Sequence, residues 1–193
     1  MIKLSHILTA AFATLLSLTA CGQSTQKTSE TMESNSNKKV LITYFSATGT
    51  TRAVAQRLAD AAGADIFEIA PETPYTDADL DWRDKTSRST IEMKDPASRP
   101  ALASTCPDID KYDIVYIGFP VWWYVAPHII NSFVEAHNLN GKTLVPFATS
   151  GGSGIAGCVD ALRETYPDLN WRNGKLLNNP SDRDIKQFVN ENK

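Results

Sequence analysis

The chain has 193 residues, 42% of them hydrophobic, with 19 basic and 22 acidic side chains and a formal net charge of −3. That length suits one domain with a sizeable core, and the mild negative balance provides no basic footprint for nucleic acid. Three cysteines with no Cys/His cluster at ligand spacing mark no structural metal site; His128 and His137, nine positions apart, read better as surface or core side chains than as ligands.

The first element in chain order is a leader. Met1 to Ala20 carries one firm charge, Lys3, and then an uncharged run from Ile7 to Ala20. A basic start, a short apolar run and small residues before a cut are the marks of a secretory signal; a spanning helix needs about 20 apolar residues. Leu18-Thr19-Ala20-Cys21 resembles a bacterial lipobox. That resemblance implies a lipidated Cys21 at the start of the mature chain, and so a cell-envelope protein anchored to a membrane by lipid. The plainer alternative is an ordinary signal with an incidental cysteine. Residues 21–39 follow as a polar stretch in which only Met32 is distinctly apolar. It cannot bury enough surface to offset its ordering entropy and reads as a flexible tether, roughly 60 Å long at full stretch. Loss of the leader removes Lys3 alone among the charged residues, leaving 18 basic against 22 acidic, net −4.

Residues 40–193 read as one domain without internal repeats. Val40 to Phe45 is a β-rich apolar run; Thr50 to Gly63 has Val54, Leu58 and Ala61 on one helical face, with Gly63 as the stop. Strands are expected over Asp65–Ile69, Asp113–Phe119 and Thr143–Thr149, the last containing Pro146, and a fifth between Trp171 and Leu177. Helices are expected over Pro127–Asn138 and Ile155–Tyr166, and a last one is opened by Ser181 with Asp184 in a capping box. Residues 71–112 carry five prolines and many charges and read as a long, partly helical excursion. Alternating strands and helices with near-continuous apolar strands predict an α/β domain: a doubly wound, five-stranded parallel sheet with helices on both faces.

Ligands of such sheets bind beyond the carboxyl ends of the strands, so the loops there carry the functional reading. After the first strand comes Ser46-Ala47-Thr48-Gly49-Thr50-Thr51, directly before a helix. Four hydroxyls and a glycine at a helix N-terminus meet the needs of a phosphate cradle; simple N-capping needs only one hydroxyl. No lysine is present, so this is not a nucleoside-triphosphate loop. After the third strand comes Pro120-Val121-Trp122-Trp123-Tyr124, and after the fourth Ser150-Gly151-Gly152-Ser153-Gly154. Three consecutive aromatics cannot all face one core, so one tryptophan is expected inward and its neighbour outward. Gly152, Gly154 and Gly157 match the spacing of a dinucleotide fingerprint, but in the fourth strand-helix unit and with no acid about 20 residues on, so the match reads as coincidental.

The three loops SATGTT, FPVWWYVAP and TSGGSG, in this order, resemble those of the flavodoxin family. The resemblance implies a sheet of order 2-1-3-4-5 and noncovalently bound FMN. It places Ser46, Ala47, Thr48, Gly49, Thr50 and Thr51 at the phosphate, and Pro120, Val121, Trp122, Trp123 and Tyr124 beside the flavin ring. Ser150, Gly151, Gly152, Ser153 and Gly154 would lie along its polar edge. Many flavodoxins have a glycine in the loop after the third strand whose peptide turns over on reduction; residues 119–127 contain none. A stiffer loop is therefore expected, without strong stabilisation of a one-electron semiquinone. The implied function is electron transfer through FMN to a redox partner protein or small acceptor. The alternatives are an FMN-dependent NAD(P)H:quinone-type reductase, with the excursion as a substrate wall, and a binding module without cofactor. In the reductase, Arg83, Lys85 and Arg88 would meet an acidic substrate or a nicotinamide cofactor's phosphate, although the three read first as a solvated charged loop.

Overall fold

The computed structural model describes residues 38–193. The expected leader, Cys21 and all of the expected tether except Lys38 and Lys39 lie outside the described residues. Lys39 is already tied to the domain: its N–H donates to the Asp113 carboxylate at 2.8 Å, and its carbonyl accepts from the Asp113 N–H at 2.9 Å.

The strands are β1 (Val40–Tyr44), β2 (Asp65–Glu68), β3 (Ile114–Pro120), β4 (Thr143–Thr149), β5 (Asn170–Trp171) and β6 (Lys175–Leu176). The helices are α1 (Thr50–Ala62), α2 (Arg88–Lys94), α3 (Ile129–Ala136), α4 (Ala156–Thr165) and α5 (Asp182–Glu191). All strand pairs are parallel, in the order β2-β1-β3-β4-β5, with β6 also on β4. β1 and β3 pair from Val40 opposite Ile114 to Tyr44 opposite Gly118.

Period-two alternation splits the core into two layers. Leu41, Val115, Ile117, Phe119 and Leu144 point to one face and meet Ile130 and Phe133 of α3 and Leu162 of α4. Ile42, Tyr116, Val145 and Phe147 point to the other and meet Leu58 of α1 and Phe188 of α5. Each such side chain contributes about 1.5–3 kcal/mol on burial, so the central strands need apolar residues on both faces. At Gly118 the ring of Phe147, its register partner on β4, fills the space of a side chain: a Cβ there would lie 2.1 Å from Cζ of Phe147.

The expected fifth strand is two short pieces, and Pro146 accounts for the break. The carbonyls of Leu144 and Ala148 accept from Arg172 and Leu177, both at 2.8 Å, so alternate residues of β4 present their polar groups to this edge. Pro146 stands between them without an N–H to give. Pairing lapses at its level, between Trp171 and Lys175, and Gly174 lets the chain pass (a Cβ there would meet Ile155 at 2.7 Å and Pro146 at 3.1 Å). The capping box of α5 is present: Ser181 Oγ accepts from the Asp184 N–H at 3.2 Å, and the Asp184 carboxylate accepts from the Ser181 N–H at 2.9 Å.

The excursion between β2 and β3 holds α2 and a short turn of 3-10 helix, and Pro71 makes an isolated bridge to Leu102. No helix among the described residues is long and apolar enough to cross a membrane.

Candidate functional site

The sheet order reverses between β1 and β3, and the loops leaving β1, β3 and β4 open there into one cleft of about 420 Å³. That falls within the roughly 300–1,000 Å³ usual for small-molecule sites. Ser46, Ala47, Thr48, Thr50, Thr51, Pro120, Val121, Trp122, Ser150 and Gly151 line it, ten of the sixteen residues expected from sequence. Gly49 sits within the first loop. Trp123, Tyr124, Gly152, Ser153 and Gly154 belong to the same loops but are not part of the lining. A larger depression runs along α5 and is lined, among the described residues, by that helix alone; it gathers none of the strand-end loops.

The first loop divides its hydroxyls by role. Thr51 Oγ1 is buried against Thr149 Oγ1 at 2.9 Å and ties the loop to the end of β4. Thr48 and Thr50 lie exposed, 3.4 Å apart. Ser46 Oγ is buried and has no hydrogen-bond partner among the described residues. Gly49 caps α1 at φ 86°, a left-handed conformation that glycine adopts freely, and no side chain caps the helix or places an acid in its first turn. The α1 N-terminus therefore keeps its N–H groups and partial positive charge for something else.

The aromatic loop is a tight turn. Trp122 and Val125 exchange both N–H···O bonds at 3.0 Å, around Trp123 at φ 46° and Tyr124 at φ 69°. Positive φ at both central residues is the type I′ pattern, which ordinarily selects Asn-Gly. A residue bearing a side chain costs about 1–2 kcal/mol in this region. Trp122 turns inward, edge-on to Phe45 at 5.5 Å and to Tyr75 at 5.4 Å between ring centres, and still lines the cleft. Trp123 and Tyr124 are 40% and 74% exposed. Tyr75 is braced from the excursion: the Arg88 guanidinium lies over its ring at 4.1 Å, and its hydroxyl donates to Glu92, which also accepts from Arg88 Nε at 2.6 Å. Arg88 is thus committed within the protein, and Arg83 lies over the exposed Trp82 ring.

The glycine-rich loop is clasped. Ser150 N–H donates to Asn178 Oδ1 at 2.9 Å and Asn178 Nδ2 donates to the Ser150 carbonyl at 2.7 Å. Ser150 Oγ accepts from the N–H groups of Gly152 and Ser153 at 3.1 and 2.7 Å. Three of the loop's five N–H groups are therefore used internally. Asn178, Thr149 and Leu80 complete the cleft and are not among the expected site residues. Thr149 opens the quoted TSGGSG stretch; Asn178 lies in the plain run NNP and Leu80 comes from the excursion, so nothing local marks those two.

Cys106 and Cys158 are free and buried, and burial pushes both thiols up, Cys158 to about 11. His137 accepts from the Cys106 N–H at Nε2 (2.8 Å), and Nδ1 stands 2.7 Å from the Phe133 carbonyl, which makes Nδ1 the protonated nitrogen.

An open parallel sheet of order 2-1-3-4-5, with an uncapped helix N-terminus, an indole wall and a glycine-rich loop meeting at its switch point, defines a flavodoxin-like α/β ligand-binding protein. A family model described as flavodoxin matches residues 39–192, and the chain belongs to that family. A protein from Bacteroides eggerthii assigned as a flavoprotein is 53% identical with a TM-score of 0.79, over 81% of this chain and 98% of its own. Another so assigned, from Bacteroides uniformis, is 50% identical with a TM-score of 0.77, over 79% of this chain and 98% of its own. The fold is shared with a flavoprotein from Lactobacillus acidophilus solved in complex with FMN, at 22% identity and a TM-score of 0.60, over 78% of this chain and 98% of that one. No functionally curated protein matches the chain.

Proposed function

We propose that this protein binds FMN noncovalently in the cleft and works as an electron carrier. The observation that carries the reading is Ser46 Oγ, buried at the cleft without a partner beside an α1 N-terminus that no side chain caps. An unsatisfied buried hydroxyl costs about 1–3 kcal/mol, and a phosphate oxygen is the acceptor that such a hydroxyl and such a helix end both fit. Ser46, Thr48 and Thr50 would hold the phosphate, with the N–H groups of the α1 N-terminus. Trp122 would wall the ring. Gly151 would let a flat group come close. FMN, when bound, supplies the one- and two-electron chemistry, and the protein's part is orientation and electrostatics. Trp123 and Tyr124, exposed in the turn that follows Trp122, offer an aromatic surface to a partner, and the mildly acidic chain suits basic redox partners.

A second reading, an FMN-dependent reductase, is favoured by Leu80: the excursion reaches the cleft and could form a substrate wall there. The visible spectrum of the purified protein tests both. A yellow protein, or a colourless one that takes up added FMN with quenching of flavin fluorescence, is expected; failure to take up FMN overturns both. Anaerobic bleaching by NADH or NADPH then selects the reductase, and absence of bleaching the carrier.

The leader reading is likewise a proposal, supported by Leu18-Thr19-Ala20-Cys21: lipid on Cys21 holds the domain at an envelope membrane. Cys21→Ala is expected to lose the lipid label and either to release the protein from membranes or to leave it unprocessed; label retained on the variant overturns it.

A further inference from the structure

The turn from Trp122 to Val125 holds two bulky residues at positive φ, and such a conformation persists only where its surroundings over-determine it. The two Trp122–Val125 hydrogen bonds close the turn from within, and α4 adds a contact from outside. Cys158 Sγ donates to the Tyr124 carbonyl at 3.5 Å. Gly157 backs onto the same oxygen so closely that a Cβ would lie 3.1 Å from it. A carbonyl's direction follows the ψ angle of its own residue, so this contact holds the plane of the Tyr124–Val125 peptide. Cys158 is itself fixed: it is fully buried, and its N–H donates to the Ile155 carbonyl at 3.0 Å. Burial keeps the proton on sulfur, and a thiol so protected serves as a donor and not as a nucleophile.

We infer that Cys158 is a positioning residue: its S–H, beside the bare backbone of Gly157, holds the Trp123–Tyr124 turn left-handed and thereby fixes Trp122 as the wall of the cleft. This gives Gly157 a role unrelated to the dinucleotide spacing it matches. The hold concerns the chain alone; its consequence for cofactor binding rests on the FMN reading above.

Two measurements on the full-length protein test it. The first needs no FMN. Amide hydrogen exchange at Trp122 and Val125 reports opening of the turn, because those N–H groups close it. Cys158→Ala is expected to speed exchange at both at least tenfold. Cys158→Ser, which keeps a donor, stays within about threefold of wild type. Adding Tyr124→Gly to Cys158→Ala restores protection, since glycine occupies positive φ without being held. Loss of packing around sulfur would not be rescued from position 124. Unchanged exchange in Cys158→Ala, or no rescue by Tyr124→Gly, overturns the inference. Gly157→Ala is expected to speed exchange of the same two amides; no change there removes Gly157 from the assignment.

The second measurement is FMN titration. Cys158→Ala is expected to weaken binding at least threefold, with recovery in the Tyr124→Gly background. If the turn opens but affinity is unchanged, Trp122 is not the wall and that half of the inference falls. If wild type itself takes up no FMN, the functional reading fails while the exchange data still decide the hold.

Discussion

Ser46 Oγ and His128 Nδ1 are buried without a hydrogen-bond partner among the described residues, and each makes a prediction at the scale of one side chain. If Ser46 Oγ waits for a phosphate, its removal should separate stability from binding. Ser46→Ala is expected to leave the unfolding free energy of the cofactor-free protein unchanged or raised by about 1 kcal/mol, since no bond is lost. FMN affinity should fall about tenfold, equivalent to about 1.4 kcal/mol. Denaturant unfolding and fluorescence titration check the two halves; equal loss in both would mean the hydroxyl serves the fold. His128 is held below its ordinary value of 6.5, chiefly by burial, with Arg99 adding to the effect and Glu92 and Asp95 opposing it. A depressed histidine binds fewer protons folded than unfolded, so stability rises with pH across its titration. Its contribution is full above pH 6.5 and is lost as pH falls through the folded value. His128→Gln should flatten this part of a stability-versus-pH profile, measured by Tm between pH 5 and 8.

At the scale of elements, the sheet is set by what its central strands can pack. Gly118 leaves room for Phe147 from the neighbouring strand. Gly118→Ala should therefore lower stability by at least about 1–3 kcal/mol, the usual cost of overpacking. Adding Phe147→Leu, which shortens the obstructing ring, should recover part of that loss; a double variant as unstable as the sum of both changes would place the strain elsewhere. The elements themselves were legible from periodicity and punctuation. β1, β4, α1 with its Gly63 stop and the Ser181–Asp184 box all follow from local residue order. The split between β5 and β6 does not follow from local residue order, although Pro146 stands in the strand they pair with. A proline's missing N–H matters only toward the edge it faces, and that direction depends on which strand lies alongside.

For the whole molecule, the site is an assembly of distant segments. Thr51 meets Thr149 across 98 positions, and Asn178 clasps Ser150 across 28. The Asn178 clasp is predicted to pre-organise the glycine-rich loop. Asn178→Leu, close in size but unable to make either bond, should weaken FMN binding about tenfold, and exchange of the Ser150 amide should quicken while α1 and β3 amides stay protected. Affinity unchanged within twofold would show that the loop needs no clasp.

From the sequence alone came the α/β class, the order of elements, the three loops and the family they resemble. These follow from apolar periodicity, glycine and proline placement and hydroxyls before a helix, all within a few residues of each other. Tertiary structure alone decided what each loop residue does: Ser46 left without a partner, Thr51 spent on the fold, Trp122 inward and Trp123 outward, Asn178 drawn in from a plain run. The physical reason is that a side chain's burial and hydrogen-bond partners are properties of its neighbours in space. In this sheet those neighbours are brought together only when the strands pair.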